Sequence, residues 1–211
     1  MKRQIVGLLL VLLWWPLLAA AATYEVQPGM RIVLPELPAS WQVSREASPA
    51  MVEHLTEHVR EEAAEKGKAL TDAQALELAR KRLESEELFL FNPHSGAHVQ
   101  ISFTALEKDE QPPSRKSVAL SAKYAASGVG DEGWQVTGER HREVAIAGAQ
   151  TAQRFEIDFT HDDEAGHFVG VVGFAHPYWF WIYATDHGKD PTDQGVIDSL
   201  MTQVRLHAMA K

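Results

Sequence analysis

The chain has 211 residues, with 20 Lys and Arg against 29 Asp and Glu, and a formal net charge of −9. It contains no cysteine, which excludes disulfides, thiolate metal ligands and a lipid-modified N-terminal cysteine. The acidic balance disfavours binding to nucleic acid, and no polybasic patch suggests binding to anionic lipid.

Lys2 and Arg3 precede an apolar run from Ile5 to Leu13, then Trp14-Trp15-Pro16 and the small residues Ala20-Ala21-Ala22. Positive charge, apolar run and A-x-A site, in that order, form a secretory signal-peptide pattern. Residues 1–22 are therefore expected to be a leader cleaved between Ala22 and Thr23. An uncleaved anchor is the rival, since Ile5 to Ala22 is near the shortest length that spans a bilayer. Loss of Lys2 and Arg3 from the 20 basic residues leaves 18 against 29 acidic ones, a mature charge of −11. Residues 23–211 are long enough for one domain with a good core. The expected location is the periplasm, with membrane contact only through the leader of the uncleaved precursor.

Tyr24 to Leu37, broken by Pro28, Gly29 and Pro35, reads as short strand and turn pieces. Residues 40–46 alternate apolar and polar, as a short strand does. Ser48-Pro49 opens a helix with a capping hydroxyl and a proline where no N–H is needed. Val52, Leu55, Val59 and Ala63 form its apolar stripe, and Gly67 ends it. Thr71-x-x-Gln74 is a capping box for a second helix, with Ala73, Leu76, Ala79 and Leu83 as its stripe. The two predict a helical hairpin over 48–85.

Beyond Glu87 the period shortens to two. Leu88–Phe91 and His98–Leu106 predict a hairpin around the turn Asn92–Gly96. A helix follows from Ser114 to about Ser127, stopped by Gly128. Four strands come next: 134–144, 150–160, 167–175 and 178–185. Their turns fall at Ile146–Ala149 and at the polar run Asp162–Gly166. On the last strand Trp179, Trp181 and Tyr183 share one face, and Tyr178, Phe180 and Ile182 the other. Large apolar groups on both faces predict a strand covered on both sides. Asp190-Pro191 is expected to open a closing helix packed through Val196, Ile197, Leu200, Met201, Val204 and Leu206. The result is an α+β domain with a mostly antiparallel sheet covered by helices on both faces.

Three stretches carry a family resemblance. They are Val144-Ala145-Ile146-Ala147-Gly148-Ala149 with the strand to Thr160, the Gly-rich strand His167–Gly173, and the closing Ile197-Asp198-Ser199-Leu200. Trp41, after a Pro-rich start, is similar to the opening of the same domains. Together they resemble the PsbP-like superfamily, which includes the photosystem II extrinsic subunit P and DcrB-type envelope proteins. The resemblance covers Tyr24 to about Glu46 and Leu88 to Leu206, and leaves the 48–85 hairpin as an insertion. It implies an α/β/α sandwich used for binding or assembly, and no shared catalytic residues.

Chemistry-bearing motifs are sparse. His54-Leu55-Thr56-Glu57-His58 matches H-x-x-E-H, in which two histidines a helical turn apart hold zinc and the glutamate acts as base. Here all three lie opposite the apolar stripe, so a solvated face is the preferred reading. His161, Asp162, Asp163 and His167 flank one turn, and His94 and His98 flank another; solvated turns are again preferred to metal sites. No nucleophile motif is present. Gly128-Val129-Gly130 follows a helix and lacks the third glycine of a dinucleotide fingerprint. The run Tyr178-Trp179-Phe180-Trp181 is read as core in preference to a binding surface.

The expectation is an exported, non-enzymatic binding module of the cell envelope, with no cofactor and no metal. Its partner would be an envelope protein or a small apolar ligand. The alternative is a small zinc-dependent hydrolase built on His54, Glu57 and His58.

Overall fold

In the computed structural model the described residues are 21–131, 134–161 and 164–209. Residues 1–20 of the expected leader, and Asp162 and Asp163, lie outside them. The chain runs β1 (Thr23–Gln27), β2 (Met30–Val33), β3 (Gln42–Ser44), α1 (Pro49–Glu65), α2 (Asp72–Leu83), β4 (Glu86–Phe91) and β5 (His98–Ala105). It continues α3 (Arg115–Asp131), β6 (Gln135–Glu143), β7 (Thr151–His161), β8 (Glu164–Ala175), β9 (Tyr178–Asp186), α4 (Asp193–Gln203) and β10 (Arg205–Ala208). It is an α+β fold with four helices among the described residues and a large antiparallel sheet of order β3-β4-β5-β9-β8-β7-β6. No helix among the described residues is long and apolar enough to cross a membrane.

The local signals that start α1 and α2 act as their chemistry requires. The Met51 N–H donates to Ser48 Oγ at 3.2 Å, with Pro49 at the first helical position. Thr71 and Gln74 form the reciprocal capping box. Gly67 takes φ +68° just past the end of α1, a left-handed conformation that suits glycine. Val59 packs against Ala75 and Ala79, joining the two helices, while Met51 and Leu83 close over Phe89 of β4. The buried alanine of the first turn of α2 is Ala75; Ala73 is exposed.

Side-chain alternation divides the large sheet into two environments. On one face Leu88, Leu90, Val99, Ile101, Phe180 and Ile182 join the main core with Ile197, Leu200 and Met201 of α4. On the other, Phe155, Ile157 and Val172 meet Ala122, Ala126 and Val129 of α3, with Trp179, Trp181 and Tyr183 half-buried beside them. Phe180 is fully buried, and the buried Tyr178 donates its hydroxyl to the Pro28 carbonyl at 2.8 Å.

Several elements depart from the expected boundaries. β10 pairs with β2, and with β1 forms a separate three-stranded sheet. Leu206 therefore belongs to a strand and not to the closing helix. Its N–H donates to Ala147 O at 2.8 Å, beside Gly148 at φ +88°, where a Cβ would lie 1.8 Å from the Leu206 carbonyl oxygen. α3 continues past Gly128 because the next residue, Val129, is buried against the sheet. β8 begins at Glu164, with Ala165 paired to Thr160 and Gly166 to Phe159. The polar run predicted as a turn is thus partly strand, and a Cβ on Gly166 would strike the Phe159 ring.

α4 starts at Asp193, two residues later than Pro191 suggests. The Asp190 carboxylate accepts from the Thr192 N–H and hydroxyl at 2.9 and 2.8 Å, which delays the first helical turn. That delay turns Asp193 inward, where it is fully buried. Its Oδ1 accepts from Trp41 Nε1 at 3.0 Å and from Asn92 Nδ2 at 2.9 Å. One carboxylate thereby joins the segment before β3, the β4–β5 turn and α4. Removing a donor from a buried carboxylate costs about 1–3 kcal/mol or more. Trp41→Phe is therefore expected to lower unfolding free energy by about 2–3 kcal/mol in urea titration. A loss no larger than that of an exposed aromatic substitution would contradict this role.

Candidate ligand-binding groove

A groove of about 770 Å³ opens between α1 and the sheet. Its walls are the N-terminal half of α1, through Met51, His54, Leu55 and His58, and the end of α2, through Arg82 and Leu83. Its floor is Glu86 of β4, His98 and Gln100 of β5, and Tyr183 of β9. The turn Phe91–Gly96 closes one end, with His187 and Lys189 beyond β9. The volume is in the range of roughly 300–1,000 Å³ that encloses small ligands. The lining is mainly apolar with a few converging polar groups, the usual character of such a site.

The groove takes apart the H-x-x-E-H motif. His54 and His58, one helical turn apart, both face the groove. Glu57 lies instead in a separate depression with Arg60, Asp72 and Arg80. Among the described residues no group of three His, Asp or Glu side chains is placed to hold a metal ion.

The other histidines disperse. His167 Nδ1 lies 2.7 Å from Asp158 Oδ1, within a different charged network. His94 is exposed, whereas His98 turns onto the groove floor with its Nδ1 3.1 Å from the Gly96 carbonyl. His98 therefore departs from the solvated-turn reading.

A second depression, of about 740 Å³, lies between β6–β8 and α4. Arg154 there pairs with Glu156 at 2.7 Å and with Asp198. Arg140 lies 3.2 Å from Glu156 and 3.0 Å from Asp158, and Arg142 lies 3.3 Å from Glu156. Its cations are matched by anions already present, so a charged ligand would have to displace an internal partner.

No family model matches the chain, and no curated protein matches it in sequence. Solved structures do. LpqN, a protein involved in cell envelope biogenesis of Mycobacterium tuberculosis, aligns with a TM-score of 0.50 at 12% identity, over 89% of this chain and 91% of that one. The two share a fold. Cyanobacterial PsbP (CyanoP) from Synechocystis sp. PCC 6803 aligns with a TM-score of 0.49 at 11% identity, over 98% of each chain. At 12% identity the likeness to LpqN concerns fold alone.

Local electrostatics mark the groove as unusual. Burial pushes the Glu86 carboxyl up to about 7, against the opposing effect of its hydrogen bond with Ser102. Burial also holds the His98 imidazole down to about 4, helped by the nearby His187 and His54. The Tyr183 hydroxyl is pushed up, by burial first and then by the Glu86 charge. Clustered shifts of this kind concentrate at functional sites. Glu86, Tyr183 and His187 escaped the sequence reading because nothing in their local spacing links them. The one available signal was an acidic pair, Glu86-Glu87, leading straight into an apolar strand.

A raised carboxyl pKa implies a definite pH dependence. In the unfolded chain Glu86 titrates near 4.5, and in the fold near 7. Its favourable contribution is complete below pH 4.5 and is lost as pH rises through 7. Glu86→Gln mimics the protonated form. It is expected to match the wild type in thermal unfolding at pH 4.5 and to exceed it by roughly 1–3 kcal/mol at pH 8, allowing for partial solvent screening. Equal gains at both pH values would contradict the burial of this carboxyl.

Proposed function

We propose that the protein is an exported, non-enzymatic binding module of the cell envelope and that the groove between α1 and the sheet is where it binds. The groove carries this reading: it is concave, mainly apolar, and ringed by groups whose protonation the fold perturbs. The fold shared with LpqN, itself involved in cell envelope biogenesis, supports an envelope role. Among the described residues no third His, Asp or Glu stands with His54 and His58 as a metal ligand, which weighs against the zinc-hydrolase alternative.

Residues 1–22 are read as the leader and 23–211 as one domain, periplasmic after cleavage, in an α/β/α arrangement. Helices α1 and α2, over 48–85, are read as an inserted hairpin whose purpose is to wall the groove. The partner is a small apolar ligand or an apolar segment of an envelope protein, and not a nucleic acid.

Two experiments test this. The neutral fluorophore N-phenyl-1-naphthylamine is expected to bind the mature protein at one site with a blue-shifted emission. Ala50→Trp, at an exposed position on the groove wall, is expected to weaken that binding at least tenfold with the melting temperature unchanged. Unaltered binding in the variant would move the site elsewhere. Intact mass of the protein recovered from a periplasmic fraction should correspond to a chain beginning at Thr23; retention of the first 22 residues in the membrane fraction would favour an anchor.

A further inference from the structure

We infer that the groove selects an amphipathic anion, an apolar chain carrying one acidic head group, and holds it more tightly as pH falls. This rests on the groove being the binding site. Acidic residues outnumber Lys and Arg across the chain, 29 to 20, yet in the groove the balance reverses. Glu86 is the one carboxylate among its described lining residues.

The charged and titratable groups come from every element around the cavity. From α1 come His54 and His58, and from the end of α2 comes Arg82, which is already paired with Glu62 at 2.6 Å. The floor supplies Glu86, His98 and Tyr183. Lys189, exposed beyond β9, and His187 complete the set at the mouth.

Acidification changes this set in one direction. Below about pH 7 the Glu86 carboxyl is neutral and no longer repels an anion. His98 is held neutral partly by the like charges of His187 and His54, so an anion seated among the three would relieve that repulsion and favour its protonation. Met51, Leu55, Leu83 and Phe91 supply the apolar lining for the chain of such a ligand.

The test uses two probes of equal chain length and permanent, opposite charge, so that any pH response belongs to the protein. Dodecanesulfonate and dodecyltrimethylammonium, below their micellar concentrations, compete with N-phenyl-1-naphthylamine for the mature protein at pH 5.5 and 7.5. The sulfonate is expected to displace the fluorophore at a concentration at least tenfold lower than the ammonium at pH 5.5, and its advantage to shrink several-fold at pH 7.5. Glu86→Gln should restore most of the sulfonate affinity at pH 7.5. His54→Gln, at an exposed position that leaves the core untouched, should reduce it at pH 5.5. Equal displacement by both probes, or a sulfonate affinity that does not change with pH, would overturn this inference and leave the groove standing as a neutral site. Failure of the fluorophore itself to bind would remove the groove reading and this inference together.

Discussion

The fold turns on one buried carboxylate. Asp193 sits at the first turn of α4 with no exposed surface, and accepts from Trp41 and Asn92, which lie 152 and 101 residues away along the chain. Burying a carboxyl group is unfavourable unless hydrogen bonds replace those it loses with water. These two donors both reach its Oδ1, and they do so only when the segment before β3, the β4–β5 turn and the closing helix meet at one point. The interaction is therefore a specificity device as much as a source of stability, because any other packing takes these donors from the buried carboxyl.

That anchor also shapes the groove. Asn92 belongs to the turn that closes one end of the cavity, so the carboxylate that seats α4 also holds the end wall in place. The opposite wall depends on helix caps. Ser48 and Pro49 begin α1 at the rim, and Met51 and Leu83 tie both helices to Phe89 on the sheet. The floor comes from a central stretch of the sheet where β4, β5 and β9 run side by side. Three elements thus border a space that none of them defines alone, and a groove already walled by packed elements binds with less ordering cost than one that must assemble around its ligand.

Much of the element order was legible in the chain. Cap residues with fixed spacing located the starts of α1 and α2, since their chemistry is local. Alternation along β7 and β9 named the two faces correctly because the period of a strand is two. Legibility failed where a distant partner decided the outcome. Arg205–Ala208 is a strand because β2 lies beside it, and nothing in those four residues says so. Gly128 failed to stop α3 because burial of Val129 outweighed the weak helix propensity of glycine. The groove failed to appear for the same reason. His54, Glu86, His98 and Tyr183 come from four elements, and their meeting is a matter of topology.

Composition and order in the sequence alone determined the acidic balance, the freedom from disulfides, the leader-like N-terminus and the alternation of an α+β chain, because each is read from neighbouring residues or simple counts. Tertiary structure alone decided which histidines share a cavity, that Glu57 borders a different depression, and that Glu86 and Asp193 are carboxylates withdrawn from water. Desolvation and long-range hydrogen bonding act through space, so their effects appear only once distant segments have packed.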